Sequence, residues 1–587
     1  YRYMPDEEKL SSYLSKSKLI SNSNYAKKIR IAILGGFTLN GLEETMRVKC
    51  DEKKIQCTTY VSGYNQYNQE IIDEKSQLYK FSPDITFLII DCRNVFGELF
   101  LNPYSLSAEE RKQFVQTKSD EIINLAKTLV KKSNSKLIIS NFSIPSYSPI
   151  GINETREEFG LHDMVRSLNQ NIKIGLRLEP EIFIYDLNSF VSKFGEHNVF
   201  NYKQFFYGDI RISLDYIPYL AQELMGYVTA VLGLIKKCIV LDLDNTLWGG
   251  IIGEDGFDGI KLGDDPIGRA YVEFQNNLLA LNQRGVLLAI NSKNNFDEAI
   301  QVIKEHPNMI LKEDNFACVR INWNDKVANM KEISDELNIG LDSMVFVDDD
   351  PVNIEYVRSN LPEVASIQMP ADNCHNNASN LKSMTAIFDM LKLTDEDKAR
   401  NTMYLEQRKR AEFKTQVGNL ENFLKQMNIS VNIKNADDFT IPRISQLTLK
   451  TNQFNLTTRR YQEEDIRKFS QDSKKIVECA QIKDKFGDNG ITAAYIVNKD
   501  NEQQWTIDTF LLSCRVIGRG VEDGILSHII EKARKDGISQ VRGEYIKTEK
   551  NQPAENLFVD FGFKKEGDFW IFDTNDQFKK PKHLVIS

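Results

Sequence analysis

Short apolar runs alternate with amphipathic stretches through the first two thirds of the chain. Lys28-Ile-Arg-Ile-Ala-Ile-Leu-Gly-Gly36 has the pattern of a buried strand closing on two glycines, and Ile55–Val61, Asp84–Asp91 and Lys136–Asn141 repeat that pattern. Phe37–Met46 reads as a helix start and Ser107–Lys132 as a long amphipathic helix. A second series follows. An apolar strand runs from Lys237 to Asp242, and a helix from Ile267 to Arg284 carries Phe274, Leu278 and Leu281 on one face, with Gly285 as its C-cap. Strands at Val286–Asn291, Ser343–Asp348 and Glu363–Met369 then interleave with helices at Asn294–Glu305 and Lys326–Leu337. Strands alternating with helices imply doubly wound α/β sheets. Residues 1 to about 27 are polar and helix-prone, the pattern of an arm packed on a neighbour. The expected organisation is a first domain over 1–228, a second over 229–394, a charged helical linker over 395–430 and a final α+β domain over 431–587.

Composition narrows the function classes. The 587 residues carry a formal net charge of −9, which argues against sequence-independent nucleic-acid binding, since that needs a basic face. No apolar run reaches the length of a membrane span, and Tyr1-Arg-Tyr-Met-Pro5 lacks the apolar core of a signal peptide. Eight cysteines are scattered without a C-x-x-C, and Cys374-His375 stands alone, so neither a zinc site nor a disulfide framework is expected. The expected setting is cytoplasmic.

The candidate chemistry centres on Asp242-Leu-Asp244-Asn-Thr246 at the end of the Lys237 strand. Side chains two apart on a strand lean the same way, and the C-terminal ends of parallel strands are where open α/β sheets bind ligands. Such a pair of carboxylates can hold Mg²⁺, attack phosphorus and manage a leaving-group proton. Three further signals follow in order: Ser292-Lys293-Asn294 after the Val286 strand, Lys326 at a helix start, and Asp348-Asp349-Asp350-Pro351 after the Ser343 strand. Singly these read as an N-cap serine, a surface lysine and a costly run of acids. Together they supply a hydroxyl and an ammonium for a phosphoryl group and more carboxylates for a cation.

Asp242-Leu-Asp244-Asn-Thr246 resembles motif I of the haloacid dehalogenase (HAD) superfamily. The longer string Leu241-Asp-Leu-Asp-Asn-Thr-Leu-Trp-Gly-Gly-Ile-Ile-Gly-Glu-Asp-Gly256 resembles the FkbH-like proteins of HAD subfamily IIIC, which make glyceryl thioesters on acyl carrier proteins. The resemblance implies Asp242 as nucleophile and Asp244 as general acid/base, with Ser292 and Lys326 holding the phosphoryl group. It implies Mg²⁺ on Asp242, Asp348, Asp349 and the Asp244 carbonyl, and a substrate pocket including Thr246, Asn291 and Lys293. Between Asp242 and Ser292 there is no room for a separate cap domain, so a capless HAD Rossmannoid sheet is expected, its site open or covered by other domains. The family pattern has Cys-Ser-Lys-Asn, whose thiol takes the glyceryl group. Here the residue before Ser292 is Asn291, which cannot form a thioester. The family's Asp-x-Phe-Gly-Asp-His-Gly also departs, reading Asp484-Lys-Phe-Gly-Asp-Asn489-Gly490.

The flanking domains carry weaker resemblances. The first looks like an SGNH-hydrolase domain, but Gly35-Gly36-Phe37-Thr38 stands where that family has Gly-Asp-Ser, and the closing Asp-x-x-His is missing because His162-Asp163 has the reverse order. Thr38 is therefore expected to cap a helix, and the domain to bind a partner rather than hydrolyse an ester. Arg515-Val-Ile-Gly518-Arg-Gly520, between a strand at Ile507–Cys514 and a helix at Val521–Lys535, resembles motif A of the GNAT acyltransferases. It implies a CoA or phosphopantetheine arm on Arg515, Gly518 and Gly520; the alternative is a GNAT fold that has lost cofactor binding. Thr451–Tyr461 matches the FkbH-like family, and its dense polar residues suggest a ligand or domain contact. The overall expectation is a three-domain Mg²⁺-dependent phosphatase acting on a phosphorylated small acid, free or linked to an acyl carrier protein. The alternatives are glyceryl transfer from 1,3-bisphosphoglycerate to a carrier, and a non-catalytic assembly protein.

Overall fold

The computed structural model describes residues 9–20, 25–393, 400, 402–406, 410, 413, 419–578 and 580–587. The chain forms two compact units, Tyr1–Leu232 and Gly233–Ser587. Much of the connector expected at 395–430 lies outside the described residues; a helix at Leu420–Gln426 is described within it.

The first unit is built on five parallel strands in the order Ile55–Val61, Lys27–Gly35, Ile85–Ile89, Lys136–Ser140, Ile182–Tyr185. Ile85–Ile89 and Lys136–Ser140 are buried throughout because helices cover both faces of such a sheet. The long helix Ala108–Lys132 starts on a capping box, Ser107 with Glu110, and packs Val115, Ala126 and Leu129 onto the core. Of the N-terminal arm, Leu10–Ser17 is helical, and Leu10 lies so close to Gly41 that a Cβ there would sit 2.6 Å from it.

The second unit holds two sheets. The first is again parallel, in the order Ala365–Gln368, Met344–Asp348, Cys238–Leu241, Leu287–Ser292, Phe316–Ile321. The central strand is Cys238–Leu241, fully buried, so the residues that follow it emerge at the middle of the C-terminal edge. The second sheet has nine strands and mixed direction. Its long antiparallel ribbon of Lys475–Asp484, Gly487–Lys499 and Gln504–Leu512 is followed by a parallel partner, Gln540–Glu544, reached through the helix Val521–Lys535. The architecture is thus α/β and multidomain: two Rossmann-like parallel sheets and one mixed sheet. Among the described residues, no helix is long and apolar enough to cross a membrane.

Candidate active site

Asp242 follows the central strand directly and is tied to the neighbouring one by its backbone N–H, which donates to the Val347 carbonyl at 2.9 Å. Asp348 closes that neighbouring strand. Carboxylate oxygens of Asp242, Asp348 and Asp349 all lie within 4.8 Å of one another. Into this group reaches Lys326, the first residue of the helix Lys326–Leu337, whose N-cap is Asp325. Its ammonium is only 2% exposed; it donates to Asp242 Oδ1 at 2.7 Å and to the Asn291 carbonyl at 2.7 Å, and lies 3.2 Å from Asp348 Oδ2. Burial alone would lower the Lys326 pKa, but Asp242 and Asp348 override it and hold the group charged.

One ammonium does not balance three carboxylates. Burial raises the pKa of Asp348, with Asp242 adding to it, and Asp349 is pushed up to about 7 by burial and then by Asp242 and Asp348. Asp348 is held in place by the Asp350 N–H at 2.9 Å and by Asn353 Nδ2 at 3.3 Å from its Oδ1. A set of crowded carboxylates with no sulfur or imidazole among the three fits a hard divalent cation such as Mg²⁺.

Asp244 is set back from this group and served by three donors. Trp248 Nε1 and the Ile252 N–H donate to its Oδ1 at 2.9 and 3.1 Å, and Asn294 Nδ2 donates to its Oδ2 at 3.0 Å. Burial still raises its pKa, and Asp242 contributes, so Asp244 is biased toward carrying a proton. The turn between these groups depends on Asn245, at φ 54°, whose Oδ1 accepts from the Gly250 N–H at 2.9 Å. Asn294 also donates to Ser292 Oγ at 3.1 Å and so joins the serine to Asp244. Thr246 is fully buried, and its hydroxyl has no hydrogen-bond partner among the described residues. Between Asp242 and Ser292 the chain makes one short turn of helix, Ile252–Asp255, and the helix Pro266–Gln283, with no inserted domain.

Lys293 is exposed just past the end of the Leu287–Ser292 strand. The Asn291 side chain, expected beside the phosphoryl group, is buried and turned the other way: its Nδ2 donates to the Lys326 carbonyl at 2.9 Å and its Oδ1 accepts from Asn329 Nδ2 at 3.0 Å. The cause is strand alternation, which sends neighbours such as Asn291 and Ser292 to opposite faces. Only the Asn291 backbone carbonyl serves the site, by accepting from Lys326. Two residues outside the expected set, Trp248 and Asn294, make direct contact with Asp244. Both were visible as neighbours within the first two motifs, yet nothing in spacing alone points an indole or an amide at a carboxylate. Trp248→Phe removes one donor and is expected to lower kcat about 10- to 100-fold with little change in KM, read by steady-state phosphate release.

In the first unit, Thr38 does not cap a helix. The helix Leu42–Glu52 has Gly41 at its N-cap, with φ 86°, and the Thr38 hydroxyl instead donates to the Gly208 carbonyl at 2.7 Å. The adjoining loop is fixed by charge: Arg211 Nε donates to Asp209 at 2.9 Å, Arg211 also pairs with Asp91, and Tyr64 donates to Asp209 at 2.7 Å.

In the mixed sheet, Gly518 and Gly520 take positive φ, 75° and 74°, which suits a glycine loop before a helix. Arg515 is 7% exposed and turned to Ser513, donating from Nε at 3.2 Å. It lines a cavity of about 570 Å³ with, among others, Asp342, Tyr404, Gln446 and Lys550.

Residues 30–229 match the family model described as FkbH, N-terminal domain. A solved structure of the N-terminal part of the protein BF1531 from Bacteroides fragilis, containing a phosphatase domain complexed with Mg, is 26% identical; the match covers 66% of this chain and 100% of that one, with a TM-score of 0.59. The GNAT domain of PAT from S. lividans is 18% identical over 24% of this chain and 89% of that one, TM-score 0.20. A GNAT family acetyltransferase from Elizabethkingia anophelis with acetyl-CoA bound is 13% identical over 24% of this chain and 97% of that one, TM-score 0.19. No curated protein matches the chain.

Proposed function

We propose, for a chain that carries an FkbH N-terminal domain ahead of this acidic centre, a Mg²⁺-dependent HAD-type phosphohydrolase acting on a phosphorylated small acid, free or carrier-linked. The observation that carries the reading is the buried group of Asp242, Asp348 and Asp349 around Lys326 at the C-terminal edge of a parallel sheet, together with the similarity to a phosphatase domain complexed with Mg. Asp242, Asp348 and Asp349 would hold the ion, which would neutralise charge on the phosphoryl oxygens.

The chain's own groups account for the rest. The Asp242 carboxylate attacks phosphorus; the bond from phosphorus to the leaving oxygen breaks as Asp244 gives that oxygen its proton. An aspartyl-phosphate results. Asp244, now ionised, takes a proton from water as the water attacks the phosphorus, which restores Asp242 and releases phosphate. Lys326 holds Asp242 in place and offsets the charge of the phosphoryl group, and Ser292 offers a hydroxyl to its oxygens. Glyceryl transfer to a carrier is the second reading. It needs a thiol that Asn291 lacks, and the Asn291 amide is already engaged by Lys326 and Asn329.

The test is to mix the purified full chain with Mg²⁺, 1,3-bisphosphoglycerate and an acyl carrier protein. Phosphate release with an unmodified carrier is the expected outcome. A glyceryl mass on the carrier would favour transfer. No phosphate from this or any small phosphomonoester would remove the phosphatase reading.

A further inference from the structure

The resemblance of Arg515-x-x-Gly518-x-Gly520 to an acyltransferase motif implies coenzyme A, and the mixed sheet can be tested for fit. Such a coenzyme asks for two things. Its diphosphate needs free backbone N–H groups at a helix N-terminus, and its long amide-bearing arm needs open strand backbone to pair with. Parallel strands that part company provide that backbone, because their facing N–H and C=O groups lose their partners.

Gln504–Leu512 and Gln540–Glu544 part in this way. Their pairing runs from Gln504↔Gln540 to Ile507↔Gly543 and stops. The gap is filled from within. Phe454–Asn455 pairs antiparallel with Leu511 and Leu512, and the Leu456 N–H donates to the Phe510 carbonyl at 3.1 Å. On the other side, the Ile546 N–H donates to the Leu456 carbonyl at 2.8 Å and Asn551 Nδ2 to the Asn455 carbonyl at 3.0 Å. Phe454, Asn455 and Leu456 are all buried. The segment thus bonds to both flanks, as an added strand would.

The helix N-terminus is filled as well. Glu522 is half-buried in the first turn of the helix Val521–Lys535, where burial pushes its pKa up to about 7 and the Gly518 and Gly520 backbone opposes the shift only in part. Asp523 adds a second acid to that turn. The His583 ring hydrogen-bonds the Arg519 carbonyl at 2.8 Å and packs on Gly520, where a Cβ would lie 3.1 Å from it. Leu584 covers Gly524, and Leu584–Ile586 is held there by parallel pairing with Ile429–Val431. A diphosphate would meet two acidic side chains in the first turn and an imidazole over Gly520, with Gly518 alone left exposed.

We infer that the mixed-sheet subdomain is closed to coenzyme A by its own chain, with Phe454–Leu456 in the place of the arm and Glu522 and His583 in the place of the diphosphate. The residues present do not fit the group, and no acyl transfer is derived from it. Thr451–Tyr461 thereby acquires a role: it completes the sheet.

Hydrogen exchange on the full chain, read by mass spectrometry with and without coenzyme A and acetyl-CoA, tests this. Peptides spanning 451–461 and 514–524 are expected to exchange slowly in the free protein and to be unchanged by either coenzyme. Fast exchange of 451–461 in the free protein, or added protection of either peptide by coenzyme, overturns the inference. In a second arm, Glu522→Ser is expected to gain binding of inorganic diphosphate, seen as slowed exchange in 514–524 that wild type does not show. Diphosphate protection of wild type, or none in the variant, removes Glu522 from the assignment.

Discussion

Asp242→Asn is expected to reduce phosphate release by at least about 10⁴-fold, the scale on which losing an attacking group is felt. The amide cannot form an acyl phosphate, and no neighbouring carboxylate takes over: Asp348 Oδ2 lies beside Lys326, its Oδ1 accepts from Asp350 N–H and Asn353, and Asp244 is held by Trp248, Ile252 and Asn294. The fold should survive. Lys326 keeps Asp348 at 3.2 Å and the Asn291 carbonyl at 2.7 Å, and removing one of three crowded carboxylates relieves repulsion. Without metal, the variant should therefore be no less stable than wild type, and added Mg²⁺ should stabilise it less, because it offers one charge fewer to the ion. Thermal denaturation with and without Mg²⁺, beside a phosphate-release assay, reads both effects. An Asp242→Asn protein with near wild-type turnover would end the assignment of this residue as nucleophile.

The parts of this arrangement that are legible from sequence are those where one local rule suffices. Cys238–Leu241, Leu287–Ser292 and Met344–Asp348 are continuous apolar runs, and burial on both faces of a parallel sheet produces such runs. Each ends in a cluster of polar residues, so the catalytic edge could be read from the strand ends. Phe316–Ile321 escaped because it is the edge strand: Val319 and Arg320 are half-exposed, and its guanidinium pairs outward with Glu332 and Glu336. Ile182–Tyr185, also at an edge, is only four residues long and too short to show a period. Asn291 was misplaced for a different reason. Adjacency in sequence to Ser292 was read as adjacency in the pocket, whereas two neighbours on a strand share a face only if the strand has ended. Thr38 shows the same limit on a longer scale, since its partner Gly208 is 170 residues away and no local helix-cap rule reaches that far. The filling of the mixed sheet by Phe454–Leu456 depends on pairing across 54 to 90 residues, which spacing cannot reveal.

Lys326→Met should give the largest loss of stability of any single change in the acidic site. The side chain keeps its length and its apolar stem, so the change removes the ammonium, together with its contact over the Phe346 ring, and little else. Asp242, 8% exposed, and Asp348, fully buried, then face each other with no cation between them. Removing one partner of a buried ion pair costs about 3–5 kcal/mol, because the charge left behind is neither solvated nor neutralised. A lysine on the surface would cost within about 0.5 kcal/mol, so the two cases separate cleanly in denaturant titrations of metal-free protein. Two further results follow from the same electrostatics. Mg²⁺ should recover part of the loss, since a divalent ion among the three carboxylates replaces the missing positive charge, whereas it cannot restore turnover that needs Lys326 beside the phosphoryl group. Adding Asp242→Asn to Lys326→Met should raise stability above that of Lys326→Met alone, with a coupling energy of about 1–3 kcal/mol, because the second change removes one of the stranded charges. If Asp242→Asn changes stability by the same amount with and without Lys326, the two residues do not act as a pair, and the 2.7 Å contact between them has no energetic weight.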